Sequence, residues 1–232
     1  MHPLREAISR HALDVDQINL RESLAEFAAH QMSKVGSEIA LMGNIIGEDR
    51  LHGASSTGNG SDELAGMGLL LQIAGELTAT SASLFASRHT YSAASLLRQL
   101  VEVEYLAWAF DTRDKDAERW LRSSNEERQQ FFKPAKLRAA SEGKFRGKDY
   151  GYHCEMAGHP TPTGQILLAN DLMSTQLLLS DLLGHVGRIW DHAVSWAVHN
   201  NEPAILTRRS EMRERFREWL DGDRLTRLPP PP

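Results

Sequence analysis

Cysteine is nearly absent from this 232-residue chain: Cys154 is the single one, which excludes an internal disulfide and predicts a cytoplasmic location. Valine and isoleucine are scarce beside alanine and leucine, and this composition favours helix over sheet. The N-terminal residues lack the apolar segment of a secretory signal. The most apolar window, 176–198, contains five polar or charged side chains, so we expect no membrane span.

Excess positive charge is also missing, since the formal net charge is −5. This balance argues against a protein that wraps nucleic acid over its whole surface. The segment 133–149 is an exception, because it holds six basic and only two acidic residues. The basic residues are Lys133, Lys136, Arg138, Lys144, Arg146 and Lys148. We predict a local phosphate-binding surface here, with Lys136, Lys144 and Lys148 contacting substrate.

Apolar residues recur at helical spacing through much of the chain. The pattern predicts helices over 18–46, 62–86, 90–110, 162–199 and 207–220, with a loop at 52–61. Thr90 and Thr161 are predicted N-caps, and Ser124 with Glu127 forms a predicted capping box whose helix is kinked or divided by Pro134. We found no strand pattern and no internal repeat.

These elements predict an all-α fold, a single-domain helical bundle of long antiparallel helices. The domain should span 1–228, with its core at about 18–200 and a charged C-terminal helix at 203–222. Residues 229–232 are all proline and are predicted to be a disordered tail.

Arg98, Glu102 and Tyr105 are spaced at i, i+4 and i+7, which places them on one face of the third predicted helix. The rest of this helix is largely apolar, so part of the polar face should be buried and its charges paired. Two interpretations are open. Arg98 and Glu102 form a simple intrahelical pair, or the pair orients a further group, such as a histidine, in a pocket.

The segment Tyr150–Gln165, YGYHCEMAGHPTPTGQ, differs most from an ordinary amphipathic helix. The spacing of His153, Cys154, Glu155 and His159 does not complete a zinc-ligand pattern, so we predict neither a metal nor another cofactor. No neighbouring group guarantees a reactive Cys154. His159 precedes Pro160, which restricts its backbone and makes it a candidate for acid–base chemistry or anion binding. Alternatively, it only hydrogen-bonds at the junction.

A polar stripe follows the last long predicted helix in steps of three and four residues. Its members are Asp181, His185, Arg188, His192, Ser195 and His199. The stripe is rich in histidine rather than lysine and glutamate, which predicts a groove or a dimer interface, although a face without chemistry is an alternative. Histidines seven residues apart lie about 10 Å apart along a helix, too far to bind one metal ion together.

Two elements, SAASLLRQLVE at 92–102 and YGYHCEMAGHP at 150–160, stand about fifty residues apart. In this pairing the chain resembles uncharacterised bacterial all-helical proteins with an Arg-x-x-x-Glu helix and a tyrosine-rich segment that ends in histidine. The resemblance implies a site at Arg98, Glu102, Tyr150 and His159. Such proteins look like distant relatives of the HEPN domains, many of which are metal-independent ribonucleases with an Arg-x(4–6)-His motif. Arg146 and His153 have that spacing.

The leading prediction is an intracellular bacterial HEPN-like protein that binds or cleaves RNA without metal, in a toxin or defence system. His153 or His159 would be the general base, and Arg98 or Arg146 would stabilise charge on the phosphate. The alternative is a non-catalytic bundle in which Arg98, Glu102 and His159 form a polar core or a ligand pocket. Its partner would be a second copy of the chain or another protein.

Overall fold

The computed structural model describes residues 13–44 and 61–222. Within these residues the chain forms helices and no strand, which confirms the predicted all-α bundle. In chain order the helices are α1 (Val15–Asn44), α2 (Asp62–Ala86), α3 (Thr90–Thr112), α4 (Asp116–Arg122), α5 (Asn125–Glu127), α6 (Pro134–Ala140), α7 (Gly147–His153), α8 (Leu172–Asn200), α9 (Pro203–Leu206) and α10 (Arg209–Gly222). Short π-helices follow α5 (Arg128–Phe132) and α7 (Cys154–Gly158), and a 3-10 helix covers Pro162–Ala169.

Helices α1 and α2 run antiparallel and approach each other closely through glycines. A Cβ added to Gly68 would lie 2.6 Å from the backbone nitrogen of Ala40, and one added to Gly36 would lie 2.7 Å from the carbonyl oxygen of Gly68. Such distances are shorter than real Cβ contacts, so only glycine permits this packing. The missing side chains bring the two helix backbones together and leave room for a continuous core.

Helix α8 runs antiparallel to α2 but parallel to α3. Glu104 and Asp111 of α3 contact His185 and His192 of α8, so residue numbers rise in the same direction along both helices. The predicted antiparallel order therefore describes α1, α2 and α3, while the connection 113–171 returns the chain to the starting end of α3 before α8 begins. This connection carries α4 to α7, and it places α7 beside the junction of α3 and α8.

One hydrophobic core contains buried side chains from α1, α2, α3 and α8, including Met32, Leu71, Leu100 and Trp196. Among the described helices, α2 is the one whose length and apolar composition match a membrane span, and the 3-10 helix with α8 would match only as a pair bent by 110°. Helix α2 packs against α1, α3 and α4. This composition is weak evidence for a span, because core helices share it.

Local sequence signals predicted several helix ends correctly. The capping box of Ser124 and Glu127 is present, and Pro134 divides the predicted polar helix because it begins α6. His89 rather than Thr90 is the N-cap of α3. The predicted continuous helix over 162–199 is wrong, because Asn170 adopts a left-handed conformation and Asp171 caps a new helix through the backbone N–H of Ser174.

The last predicted helix, 207–220, is found at Arg209–Gly222, after the separate short helix α9. The predicted 52–61 loop, except for Ser61, and the predicted 229–232 tail lie outside the described residues. Ser61 itself is the N-cap of α2, where its hydroxyl accepts hydrogen bonds from the backbone N–H groups of Glu63 and Leu64.

Candidate functional site

Arg98 and Glu102 are one helical turn apart on α3 and form a cluster with Tyr150 of α7. Arg98 Nη2 lies 2.7 Å from Glu102 Oε1 and 3.0 Å from the Tyr150 hydroxyl. The same hydroxyl donates to Glu102 Oε1 at 2.7 Å. The side chains of Arg98 and Glu102 remain 23% and 31% exposed, so solvent reaches the cluster. We call these three residues the Arg98 cluster.

The charges of Arg98 and Glu102 are paired, while Arg98 Nε is buried without a hydrogen-bond partner among the described residues. Burial raises the pKa of Tyr150, and its hydrogen bond to Glu102 raises that pKa further, so the phenol stays protonated at neutral pH. Burial alone would lower the pKa of Arg98, but contacts with Cys154, Glu102 and Tyr150 outweigh it and raise the pKa. The cluster therefore joins a cation, an anion and a neutral phenol, which can hold an anion but offers no free base.

His159 does not provide the histidine that was expected to meet Arg98 and Glu102. The segment does reach α3, since a Cβ on Gly158 would lie 2.3 Å from Arg98 Cδ and Tyr91 donates to the His159 carbonyl at 3.4 Å. The His159 side chain itself is exposed, and within the described residues its imidazole makes no hydrogen bond or ion pair with Arg98 or Glu102. The extended backbone before Pro160 directs it outward, and the Tyr150 phenol takes its place.

His153 belongs to a second, more deeply buried group. It lies at the end of α7 with only 6% of its side chain exposed, and its Nε2 is 3.7 Å from Asp181 Oδ2. His185 Nε2 lies 3.5 Å from the other oxygen of Asp181. Burial lowers the pKa of His153 more than the Asp181 carboxylate raises it. We call His153, Asp181 and His185 the His–Asp–His cluster.

Glu104 supports the His–Asp–His cluster from α3. Its side chain is 4% exposed, with Oε2 2.5 Å from His185 Nδ1 and Oε1 2.8 Å from Arg188 Nε. Burial alone would raise the pKa of Glu104, but the hydrogen bonds from His185 and Arg188 outweigh burial and lower it. Glu104 is therefore ionised and orients the imidazole of His185.

His192 makes a similar set of hydrogen bonds seven residues further along the same two helices, α3 and α8. Its Nδ1 lies 2.8 Å from Asp111 Oδ2, and its Nε2 lies 2.8 Å from Lys144 Nζ. Lys144 was predicted to contact substrate, and in the structure its ammonium contacts this buried histidine. Both ring nitrogens of His192 are thus occupied, in contrast to the longer separations around Asp181.

The remaining predicted basic residues lie on the surface. Lys136, Arg146 and Lys148 are exposed on α6 and at the start of α7, and Arg146 makes no described contact with His153 despite the matching motif spacing. Arg138 is half-buried because its guanidinium stacks on the Tyr150 ring at 4.4 Å. This stacking joins the basic surface to the Arg98 cluster.

The polar stripe of α8 divides between two environments. Asp181, Arg188, Ser195 and His199 line a groove of about 1180 Å³ between α8 and α10, which agrees with the predicted groove. His185 and His192 are buried and face α3 instead. Sequence reasoning missed Glu104 and Asp111. Their spacing of seven residues matches that of His185 and His192, and this match was the available signal.

Comparisons of the chain with protein-family models, curated proteins and solved structures find no match. The HEPN-like resemblance therefore stays a prediction.

Proposed function

We propose that the protein binds RNA across the exposed basic residues of α6 and α7, as a HEPN-like bacterial protein of the cytoplasm. The observation that carries the proposal is a concentration of exposed cations, Lys133, Lys136, Arg146 and Lys148, on a chain whose net charge is −5. Such a surface attracts phosphates locally, whereas the rest of the molecule repels them.

The aromatic and polar groups beside this surface support a single-stranded partner. Arg138 stacks on Tyr150, and Tyr150 in turn hydrogen-bonds to the partly exposed Arg98. Exposed cations with adjoining aromatic rings are typical of sites where phosphates are held and bases stack. Phosphate contacts of this kind position a strand without reading its sequence, so we propose binding with little sequence preference.

Metal-independent cleavage is the stronger form of this proposal, and His159 is its candidate base. His159 is exposed and follows Gly158, which packs on Arg98. His153 is buried against Asp181, so it is a poor candidate for contacting a phosphodiester on the surface. In this form Arg98 stabilises the phosphate charge, and Glu102 and Tyr150 hold its guanidinium in place.

The binding test measures affinity for a fluorescent single-stranded RNA at several salt concentrations. We expect the triple variant Lys136→Gln/Arg146→Gln/Lys148→Gln to bind more weakly and to reduce the slope of log K against log salt by about 2, because each lost phosphate contact contributes about 0.7. Lys34→Gln/Arg213→Gln/Arg217→Gln removes the same charge from other exposed positions. Equal effects of both triple variants would refute a localised site.

The cleavage test uses end-labelled RNA in EDTA with wild type, His159→Ala and His153→Ala. If His159→Ala abolishes cleavage and His153→Ala does not, the result supports His159 as the general base. If wild type and His159→Ala produce the same background cleavage, the enzymatic form of the proposal is wrong. The binding form is then judged by the salt-dependence data alone.

A non-catalytic bundle is the second candidate, and the hydrogen bonds that join the three members of the Arg98 cluster favour it. If Arg98, Glu102 and Tyr150 serve only to join α7 to α3, Arg98→Ala should lower the melting temperature and leave RNA affinity unchanged. A variant that keeps its melting temperature but loses RNA affinity would refute this structural role. The binding partner of such a non-catalytic bundle would be another protein or a second copy of the chain.

A further inference from the structure

We propose that the His–Asp–His cluster is a binding site for one divalent transition-metal ion of the zinc class. One ring nitrogen of His153, one of His185 and a carboxylate oxygen of Asp181 all lie within 4.8 Å of one another. Two imidazoles and one carboxylate are a ligand set that zinc and iron(II) accept, with further coordination positions left for water or substrate. The sequence-based prediction of no metal considered the spacing from His153 to His159 and that of histidines seven residues apart on one helix, but no ligand set that combines the two segments.

The separations between ligand atoms fit a shared ion better than direct hydrogen bonds. Asp181 Oδ2 lies 3.7 Å from His153 Nε2, and Asp181 Oδ1 lies 3.5 Å from His185 Nε2. Protein hydrogen bonds usually span about 2.7–3.2 Å. Two ligands at about 2.1 Å from a tetrahedral ion are about 3.4 Å apart. The two histidine–aspartate separations are close to this value.

The contacts of His185 differ between its two ring nitrogens. Its Nδ1 lies 2.5 Å from Glu104 Oε2 and 2.9 Å from Arg188 Nη2. Its Nε2 faces an oxygen of Asp181 at 3.5 Å. Nε2 is therefore the nitrogen positioned to share an ion with Asp181.

Glu104 also corresponds to the outer partner that metal-bound histidines usually have. A carboxylate that accepts from the second ring nitrogen orients the imidazole and increases its basicity as a ligand. The charges are compatible with a cation, since Asp181 and Glu104 are negative and Arg188 is the positive group in contact with His185. Arg188 approaches His185 at Nδ1, 2.9 Å away, so its charge lies on the Glu104 side of the ring.

The site is reachable, although two of its ligands are buried. The Asp181 side chain is 34% exposed and also lines the groove between α8 and α10. An ion could enter beside Asp181, and water or a small anionic ligand could occupy its open positions from the same side. The inference is independent of RNA binding, because the basic surface of α6 and α7 lies outside the His–Asp–His cluster.

The test titrates Co²⁺ into EDTA-treated, tag-free protein and records visible absorption, which reports nitrogen and oxygen ligation. Wild type should bind one equivalent, and excess Zn²⁺ should displace it. Asp181→Asn and His153→Gln should abolish the absorption. Glu104→Gln should weaken binding about 10- to 100-fold, as the loss of an outer partner does. His192→Gln is the matched control, since it disrupts a buried histidine–carboxylate pair on the same helices, and it should bind like wild type.

Asp181→Asn decides the outcome if a buried-histidine variant fails to fold, because Asp181 is partly exposed and the substitution conserves its shape. Circular dichroism confirms that this variant is folded. Absence of stoichiometric Co²⁺ absorption in wild type, or equal absorption in folded Asp181→Asn, would overturn the metal site. Either result leaves the RNA experiments unaffected, since cleavage is measured in EDTA.

Discussion

Glu104→Gln tests how the contact between α3 and α8 is stabilised. Glu104 is 4% exposed and accepts charge-assisted hydrogen bonds from His185 at 2.5 Å and Arg188 at 2.8 Å. Each such bond is typically worth about 1.5–3 kcal/mol. The glutamine oxygen can still accept one of them, while its NH₂ group would meet a donor. We therefore expect the free energy of unfolding to fall by about 2 kcal/mol.

Arg188 and Glu102 provide the comparison. Arg188→Gln removes one of the two hydrogen bonds to the buried Glu104 and leaves that from His185, so it should cost less than Glu104→Gln, about 1–2 kcal/mol. Glu102→Gln makes the same chemical change as Glu104→Gln two residues earlier on α3, where the side chain is 31% exposed. Glu102→Gln should cost less than about 1 kcal/mol.

The assay is urea unfolding at pH 7.5 in EDTA, followed by circular dichroism at 222 nm, with the free energy obtained by linear extrapolation. EDTA ensures that a bound ion does not contribute to the difference. The reasoning is refuted if Glu104→Gln lies within about 0.5 kcal/mol of wild type, or if Glu102→Gln is at least as destabilising. Either outcome would mean that burial of Glu104 does not strengthen its hydrogen bonds.

Three further predictions concern packing, capping and ionisation. Gly68→Ala should cost about 1–3 kcal/mol in urea unfolding, because the new Cβ would meet the Ala40 backbone at 2.6 Å, whereas the control Gly151→Ala has no atom within 4 Å and should be neutral or stabilising. Ser124→Ala should cost about 1 kcal/mol by removing the capping box, and an unchanged melting temperature would contradict this role. Burial raises the pKa of Tyr105 to about 12, and burial with the Glu102 hydrogen bond raises that of Tyr150. Since these phenols bind protons more tightly when folded than when unfolded, stability should decline as pH rises from about 10 towards 12. Ultraviolet titration should show that Tyr105 and Tyr150 ionise at higher pH than an ordinary tyrosine, and Tyr150→Phe should remove part of this high-pH ionisation. Ionisation of all tyrosines near pH 10 would contradict the burial argument.

The Arg98 cluster shows what local pattern can predict. The pairing of Arg98 with Glu102 follows from their four-residue spacing, since such residues are neighbours on any helix. Tyr150 was named from the resemblance, and the structure places its hydroxyl between them. The expected histidine was not found there, because the orientation of the His159 side chain depends on how the segment before Pro160 packs against α3.

Local sequence pattern was enough to predict most of the long helices, the capping box, the break at Pro134 and the Arg98–Glu102 pair, because each depends on neighbours within a few residues. The contact of Glu104 with His185, 81 residues away, and that of His153 with Asp181 depend instead on how the helices pack in three dimensions. These contacts require α3 and α8 to pack in parallel with α7 across their junction. That arrangement follows from the course of the connection 113–171 and from core packing, and helical periodicity specifies neither.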